Sequence, residues 1–367
     1  MTTLPTKSAD SAVRGGSLTQ GSSTQGSSTR GSPTLVDVAR EASVSVSTAG
    51  RVLRDGGWPV DAELKERVLA AADRLSYVPN LMARTLRAGR PALVGLVVGN
   101  MLDPYYGEIA EAITRHAEAS STMLAMVCNM QRDPVLELKY CRQLWEHRVS
   151  GLILAGGGFD QITHHDKFVT ILDQMTRNGV VVTTLSPRGI AAPVFSVDNE
   201  MVGKMAAREL LEQGHRHIGI MVGRILNEVR KTRLDGMITA IREAGAQCYV
   251  AEPEAEGEPD TSVDALLTKN PEITGIIASS NLISMGIIDA VRRTGRSVPE
   301  DISIVGIGNT RLAEWSMPKL THVDLNLQAC GHAALDFIAA SVAGEPFDRT
   351  IVPPARLVRG DSVAKLR

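Results

Sequence analysis

Histidine clusters are the first candidates for metal or acid–base chemistry. His164-His165-Asp166 and His215-x-His217 are the two in this chain. Neither has the H-E-x-x-H spacing that sets two imidazoles on one helical face. Both read as surface histidines rather than metal ligands. The cysteines, Cys128, Cys141, Cys248 and Cys330, form no C-x-x-C pair and read as reduced thiols. Gly156-Gly157-Gly158 lacks the G-x-G-x-x-G or G-K-[ST] completion that cradles phosphate, so it reads as a loop after a strand. No Ser/His/Asp arrangement can be assigned by motif, because a triad is assembled in space. The expectation is a protein that is not an enzyme and carries no metal or cofactor.

A different chemistry is suggested by Val46, Ser47, Gly50 and Arg51. A methyl-rich side chain can pack on thymine, a hydroxyl can reach a base edge or phosphate, and an arginine suits phosphate or guanine. The flanking residues supply elements to carry them. Thr34 can cap a helix over Leu35–Ala42 with Val38 buried, and Ser43-Val44-Ser45 makes a tight turn. Ser45 can cap a second helix over Val46–Leu53. Gly56-Gly57-Trp58-Pro59 breaks the chain. Asp61 can then cap a third helix with Leu64, Val68, Leu69, Ala72 and Leu75 at helical spacing. The layout is helix-turn-helix, in which the second helix enters the major groove.

Charge agrees with a nucleic-acid partner at this end. The formal net charge is −2, but residues 1–92 carry 12 basic and 8 acidic groups and the remainder 27 and 33. A basic front on an acidic body fits an anionic partner for the front. Hydrophobic residues are 43% of the 367, enough for a sizeable core and incompatible with a fully disordered chain. Aromatics are 4%, so that core must be aliphatic. No apolar run approaches membrane-spanning length, and no basic start leads into an apolar stretch. These features predict a cytoplasmic protein with no membrane partner.

The first 33 residues repeat a pentapeptide, Thr19-Gln20-Gly21-Ser22-Ser23 and its successors, with nothing to bury. They are expected to be a disordered tail. Lys7, Arg14 and Arg30 could instead give a floating arm some nonspecific affinity for DNA. Leu81–Ala88 is too short to be a stable helix alone. From residue 93 onward apolar strands alternate with amphipathic helices, at Leu93–Val98, Thr122–Val127, Gly151–Ala155, Val180–Thr183 and Val194–Val197, then again through residues 218–306, with a last helix over 327–342. That pattern predicts two lobes of parallel sheet covered on both faces, with ligands in the cleft at the carboxyl ends of the strands.

The stretch Thr34-Leu35-Val36-Asp37-Val38-Ala39 through Arg51-Val52-Leu53 resembles the LacI/GalR family of bacterial transcription repressors, with its T-L-x-D-V-A-x-x-A-G-V-S-x-x-T-V-S-R-V-L pattern. Later segments extend the resemblance over residues 34–367: Leu75-Ser76-Tyr77-Val78-Pro79-Asn80, Asp103-Pro104-Tyr105-Tyr106, Val197-Asp198-Asn199, Arg233-Leu234-Asp235-Gly236 and Val298-Pro299-Glu300-Asp301. Ser43 stands where the family turn has Gly, and Ala49-Gly50 where it has Val-Ser.

The resemblance implies an all-α helix-turn-helix headpiece joined by a hinge helix to an α/β periplasmic-binding-protein-like core of two parallel-sheet lobes. The implied divisions are 1–33 tail, 34–78 headpiece, 79–92 hinge and linker, 93–196 with 325–354 as the N-terminal lobe, and 197–324 with 355–367 as the C-terminal lobe. The function implied is an effector-responsive repressor that binds a near-palindromic operator as a homodimer, with a tetramer left open. A solute-binding or sensing protein that does not regulate transcription is the alternative.

Candidate DNA contacts are Thr34, Leu35, Ser45, Val46, Ser47, Thr48, Gly50, Arg51 and Tyr77, with Asn80, Ala83 and Leu86 from the hinge. Leu86 matches a leucine that wedges into a base step and kinks the duplex. Candidate effector contacts are Tyr105, Tyr106, Ser186, Arg188, Arg233, Ser280, Asn281, Gly308 and Asn309. Ser186, Asn281 and Gly308-Asn309 replace usual acidic positions, while Arg233 is retained and Arg188 lies nearby. Because carboxylates hold neutral sugar hydroxyls, their loss implies an anionic effector, such as a sugar acid. A neutral polar ligand held by amides and hydroxyls, and a pocket without ligand, stay open.

Overall fold

The structure, a computed structural model, describes residues 32–53, 60–78, 93–120, 123–156, 165–223, 227–252, 260–308, 311–347 and 354–366. The tail, the hinge with Asn80, Ala83 and Leu86, the Gly56–Pro59 break, Gly157-Gly158, His164 and Asn309 lie outside the described residues. The chain divides into two units, residues 1–80 and 81–367.

The first unit holds α1 (Leu35–Glu41), α2 (Val46–Val52) and α3 (Ala62–Arg74). Each starts on the cap that its sequence offers. Thr34 donates to Asp37 Oδ2 from both its backbone N–H (3.0 Å) and its hydroxyl (2.6 Å), closing a capping box. Ser45 Oγ accepts from Thr48 N–H at 3.1 Å, and Asp61 accepts from Glu63 and Leu64. The core is small and aliphatic: Val38, Ala49, Val68 and Ala71 are fully buried. Leu69 departs from the expected core set. It is 42% exposed, and Ala71 takes the inward position. The turn between α1 and α2 places Ser43 at φ 53°, a left-handed conformation.

The second unit contains two sheets. The first is β1 (Leu93–Val98), β2 (Leu124–Asn129), β3 (Gly151–Ala155) and β4 (Val181–Thr184), all parallel, in the order β2-β1-β3-β4. Its central strands are buried on both faces, as unbroken apolar runs require. On one side lie α4 (Pro104–Ser120) and α12 (Leu327–Ala343), contributing Ile109, Ile113, Leu335 and Ile338. On the other lie α5 (Pro134–Glu146) and α6 (His165–Arg177), contributing Cys141, Leu144, Phe168 and Ile171.

The second sheet has the order β10-β9-β8-β7-β5-β6, with β5 (His217–Met221), β6 (Gln247–Ala251), β7 (Gly275–Ala278), β8 (Ser303–Ile307), β9 (Thr321–Asp324) and β10 (Arg356–Val358). The helices of this lobe are α7 (Asn199–Glu212), α8 (Glu228–Glu243), α9 (Asp260–Lys269), α10 (Asn281–Arg293) and α11 (Arg311–Trp315). Two expectations need correction. This lobe is not wholly parallel, because β10 returns antiparallel on β9. Val194–Val197 is not a strand: it makes one bridge to Thr184 and then crosses to the other lobe, with Phe195 buried against Phe337 and Phe347. The chain crosses between the lobes again after β9 and after α12.

Candidate DNA-reading helix and ligand cleft

In the first unit α2 presents Val46, Ser47 and Arg51 to solvent, with Ser47 and Arg51 one turn apart on one stripe. Val46 is 44% exposed, an apolar side chain outside the described core cluster of this unit. Ser47 Oγ lies 2.8 Å from Ser45 Oγ, so the first turn of α2 is tied at its cap. Thr34 and Ser45 spend their hydroxyls on capping. Leu35 and Tyr77 are half-buried against the helix core, and Thr48 is half-buried with its hydroxyl 2.8 Å from Ser45 Oγ. Gly50 must be moved off the contact face, because it is buried beside Ala49 on the side packed against the other helices.

In the second unit the cleft begins at the first turn of α4. Tyr105 N–H donates to Asp103 Oδ1 at 3.1 Å, and the Tyr105 and Tyr106 rings meet edge-on, with centroids 4.9 Å apart. Glycines after β1 and β3 admit the Tyr106 ring. A Cβ on Gly99 or Gly156 would come within 2.5 or 2.7 Å of it. Arg233, in the second turn of α8, donates from Nε to Asn199 Oδ1 at 2.9 Å, and Asn199 Nδ2 donates to Val197 O. Tyr105, Ser186, Ser196, Asn199, Arg233 and Cys330 line a cavity of about 20 Å³ between the lobes, completed by Leu185, Val197, Val229, Leu325 and Leu327. Ser186 Oγ is buried there with no hydrogen-bond partner.

Burial sets the electrostatics. It pulls Arg233 below the ordinary arginine range, and Tyr105 opposes the effect. It pushes Tyr105 and Tyr106 upward, and it raises the Cys330 thiol to about 12. Among the described residues no carboxylate pairs with Arg233. The cavity therefore offers a cation, an amide and an unused hydroxyl, a donor-rich lining suited to an anionic oxygen.

Of the expected effector residues, Tyr106, Ser280, Asn281 and Gly308 do not line this cavity. Ser280 Oγ caps α10 by accepting from Ile283 N–H, and buried Asn281 donates to Gly308 O at 3.1 Å. Gly308 has φ 122°. Together they hold the turn after β8 against α10. Arg188 does not line the cavity either. Its Nη2 donates to Glu137 Oε1 at 2.6 Å, both side chains being almost wholly buried. Sequence reasoning missed Asn199, Ser196 and Glu137. Asn199 was visible only as part of a quoted motif, and Glu137 as a first-turn acid of α5.

Correction also applies to the histidines. His215 is not on the surface. It is 2% exposed, with Nδ1 2.9 Å from Thr274 Oγ1 and Nε2 3.1 Å from Ala364 O. Among the described residues no three His, Cys, Asp or Glu side chains are grouped to hold a metal ion, and no helix is long and apolar enough to cross a membrane.

A helix-turn-helix unit attached to a two-lobed α/β ligand-binding core defines a class of DNA-binding transcription regulators, and comparison with known proteins agrees. The family described as bacterial regulatory proteins, lacI family, matches residues 34–80, and the periplasmic binding protein-like domain matches residues 207–363. The HTH-type transcriptional regulator DegA of Bacillus subtilis (strain 168) is 28% identical over 333 residues, 89% of this chain and 97% of DegA. The HTH-type transcriptional repressor PurR of Aliivibrio salmonicida (strain LFI1238) is 26% identical over 322 residues, 87% of this chain and 95% of PurR. In fold, the lac repressor dimer bound to operator and the anti-inducer ONPF matches with TM-score 0.75 at 21% identity, over 90% of this chain and 99% of that one. The chain carries a lacI-family helix-turn-helix domain and a periplasmic binding protein-like domain, and it is a DNA-binding transcriptional regulator.

Proposed function

We propose that this regulator is a cytoplasmic repressor, without catalytic activity, that binds a near-palindromic operator as a homodimer and is controlled by a small anionic metabolite in the cleft. The observation that carries the effector reading is Arg233, a partly buried guanidinium with only neutral partners among the described residues, beside a buried serine hydroxyl with no hydrogen-bond partner there. A sugar acid suits the chemistry of this lining, its carboxylate on Arg233 and its hydroxyls on Asn199 and Ser186, in a cleft opened wider than the present cavity of about 20 Å³. Two copies of α2 would read the two half-sites through Val46, Ser47 and Arg51, so the symmetry of the dimer sets that of the site.

Control follows from the placement of the ligand groups. Tyr105 and Ser186 belong to the first lobe, Asn199 and Arg233 to the second. A ligand bridging them favours one angle between lobes, and its differential affinity for the two angles is all it can add to the DNA equilibrium. The test is selection of bound duplexes from a random pool, followed by release or enhancement with metabolites. An enriched near-palindrome whose binding changes with a sugar acid supports the reading. No enrichment over scrambled competitor overturns it, and enrichment that responds only to a neutral hexose overturns the anionic part.

A further inference from the structure

The most unusual polar group outside the cavity is Arg188, in the loop after β4. Its side chain is 2% exposed and its Nη2 donates to Glu137 Oε1 at 2.6 Å. The guanidinium carbon lies 5.0 Å from the centre of the Phe168 ring. Nε and Nη1 are buried with no hydrogen-bond partner. A guanidinium has five N–H donors, and here the Nε and both Nη1 hydrogens are unmet. Leaving such donors dry forfeits their hydration with nothing in return, so the arrangement calls for an acceptor that arrives from outside.

The place in the fold says where that acceptor comes from. Glu137 is in the first turn of α5, Phe168 in the first turn of α6, and Arg188 just beyond β4. All three sit at the carboxyl ends of the first sheet, the edge that faces ligands in parallel α/β folds. Arg188 is within electrostatic reach of the Tyr106 phenol, as are Arg132 and Arg230, and Tyr106 in turn acts on Arg233. Tyr106 packs on Gly99 and Gly156, just after β1 and β3 at that same edge, and follows Tyr105 of the cavity in sequence.

We propose that Arg188, oriented by Glu137, is a second anion-binding point of the cleft, so that the effector is a compact polyol with an anionic group at each end, one on Arg233 and one on Arg188. The proposal rests on the reading of the cleft as an anionic effector site and narrows it. Glu137 cancels the formal charge of Arg188 and fixes its plane while its remaining donors stay available. A carboxylate or phosphate oxygen supplies the missing acceptors.

The experiment is titration calorimetry on the full-length chain with aldonates of pentose and hexose length, the matching aldarates, and the phosphorylated aldonates. Wild type is expected to bind a two-ended anion about tenfold or more tighter than the aldonate of the same stereochemistry. Arg188→Gln should reduce that preference to about threefold or less, whereas Arg233→Gln weakens both ligands together. Glu137→Gln keeps the guanidinium and should keep the preference. Because Arg188→Gln strands Glu137, the double variant Arg188→Gln/Glu137→Gln repeats the test without a buried lone charge, and each variant must first show a cooperative melt. Aldonates and two-ended anions binding wild type equally would overturn the second point alone. So would a preference that survives in both Arg188 variants. Binding of no anion by wild type would overturn this proposal and the anionic reading together.

Discussion

Gly203→Ala sets two physical effects against each other. Gly203 lies in the interior of α7, where alanine is intrinsically better than glycine by about 1 kcal/mol. Propensity alone therefore predicts a more stable protein. The packing predicts the reverse. A Cβ on Gly203 would lie 2.1 Å from the Arg233 carbonyl oxygen and 3.0 Å from Met237 N, and one on Gly236 would lie 2.2 Å from the Glu200 oxygen. The two glycines face each other across α7 and α8, whose backbones are in direct contact. The obstacle is helix backbone, which cannot swing aside like a side-chain tip.

Relieving the clash needs the helices to part by about 1 Å, since nonbonded carbon atoms prefer about 3.5–4.0 Å and a carbonyl oxygen only slightly less. Overpacking of this kind costs about 1–3 kcal/mol. The same movement stretches the Arg233–Asn199 hydrogen bond, now 2.9 Å, which joins these two helices. Losing a hydrogen bond to a charged group costs about 1.5–3 kcal/mol more. Against the propensity gain, the net is a loss of about 1.5–5 kcal/mol. Urea unfolding followed by far-ultraviolet circular dichroism measures it through the midpoint of the core transition. Gly107→Ala in α4 is the control. Its built Cβ meets nothing within 4 Å, so it should be neutral or gain up to about 1 kcal/mol. A Gly203→Ala core as stable as wild type would refute the close-contact argument.

Three other outcomes follow from local geometry. Ser43→Gly should raise headpiece stability by about 0.5–1 kcal/mol, because φ 53° costs an L side chain more than glycine; a lower melting temperature would count against it. Arg51→Ala should weaken all duplexes and lower the slope of log affinity against log salt by about one, if the exposed guanidinium meets phosphate; an unchanged slope in binding titrations argues otherwise. Burial holds His215 below its ordinary 6.5, so the unfolded chain takes up the proton first. Its contribution is present above about 6.5 and is lost as pH falls through the lower folded value. Melting temperatures between about pH 7 and pH 5 should therefore fall more steeply for wild type than for His215→Asn, and parallel curves would remove His215 as a source of acid sensitivity.

The order of elements was legible because each signal is local. Thr34, Ser45 and Asp61 sit one residue ahead of helices they cap, and runs such as Leu93–Val98 are apolar enough to be buried on both faces. Distant packing was not legible. β10 is three residues held by its antiparallel partner β9, with no periodicity of its own. Val194–Val197 reads as a strand because Val and Phe suit strands equally well when they pack as a crossover. Gly50 follows an exposed Ser47 at helical spacing, yet α2 is narrow and its inner face takes both Ala49 and Gly50. His215 looks like a surface residue until the segment near Ala364, 149 residues away in sequence, covers it.

Two features of the cleft bear on the proposed anionic effector. Motif positions that usually hold acids are Ser186, Asn281 and Gly308 here, and their loss points to an anionic ligand. Acids nevertheless exist at this edge of the sheet, from other positions. Asp103 accepts from Arg132 at 3.2 Å, and Glu137 accepts from Arg188, 51 residues away in sequence. Each is matched to an arginine, so neither is a spare carboxylate for sugar hydroxyls. Among the described residues Arg233 has only Asn199 and Tyr105 as partners, both neutral. A neutral sugar would meet that guanidinium with hydroxyl oxygens alone and would leave its charge buried and unmatched. A ligand carboxylate would gain a charge-assisted bond in a partly buried site, where the same contact is stronger than in water. The balance of paired and unpaired arginines, more than the vacated motif positions, is the physical reason to expect an anion.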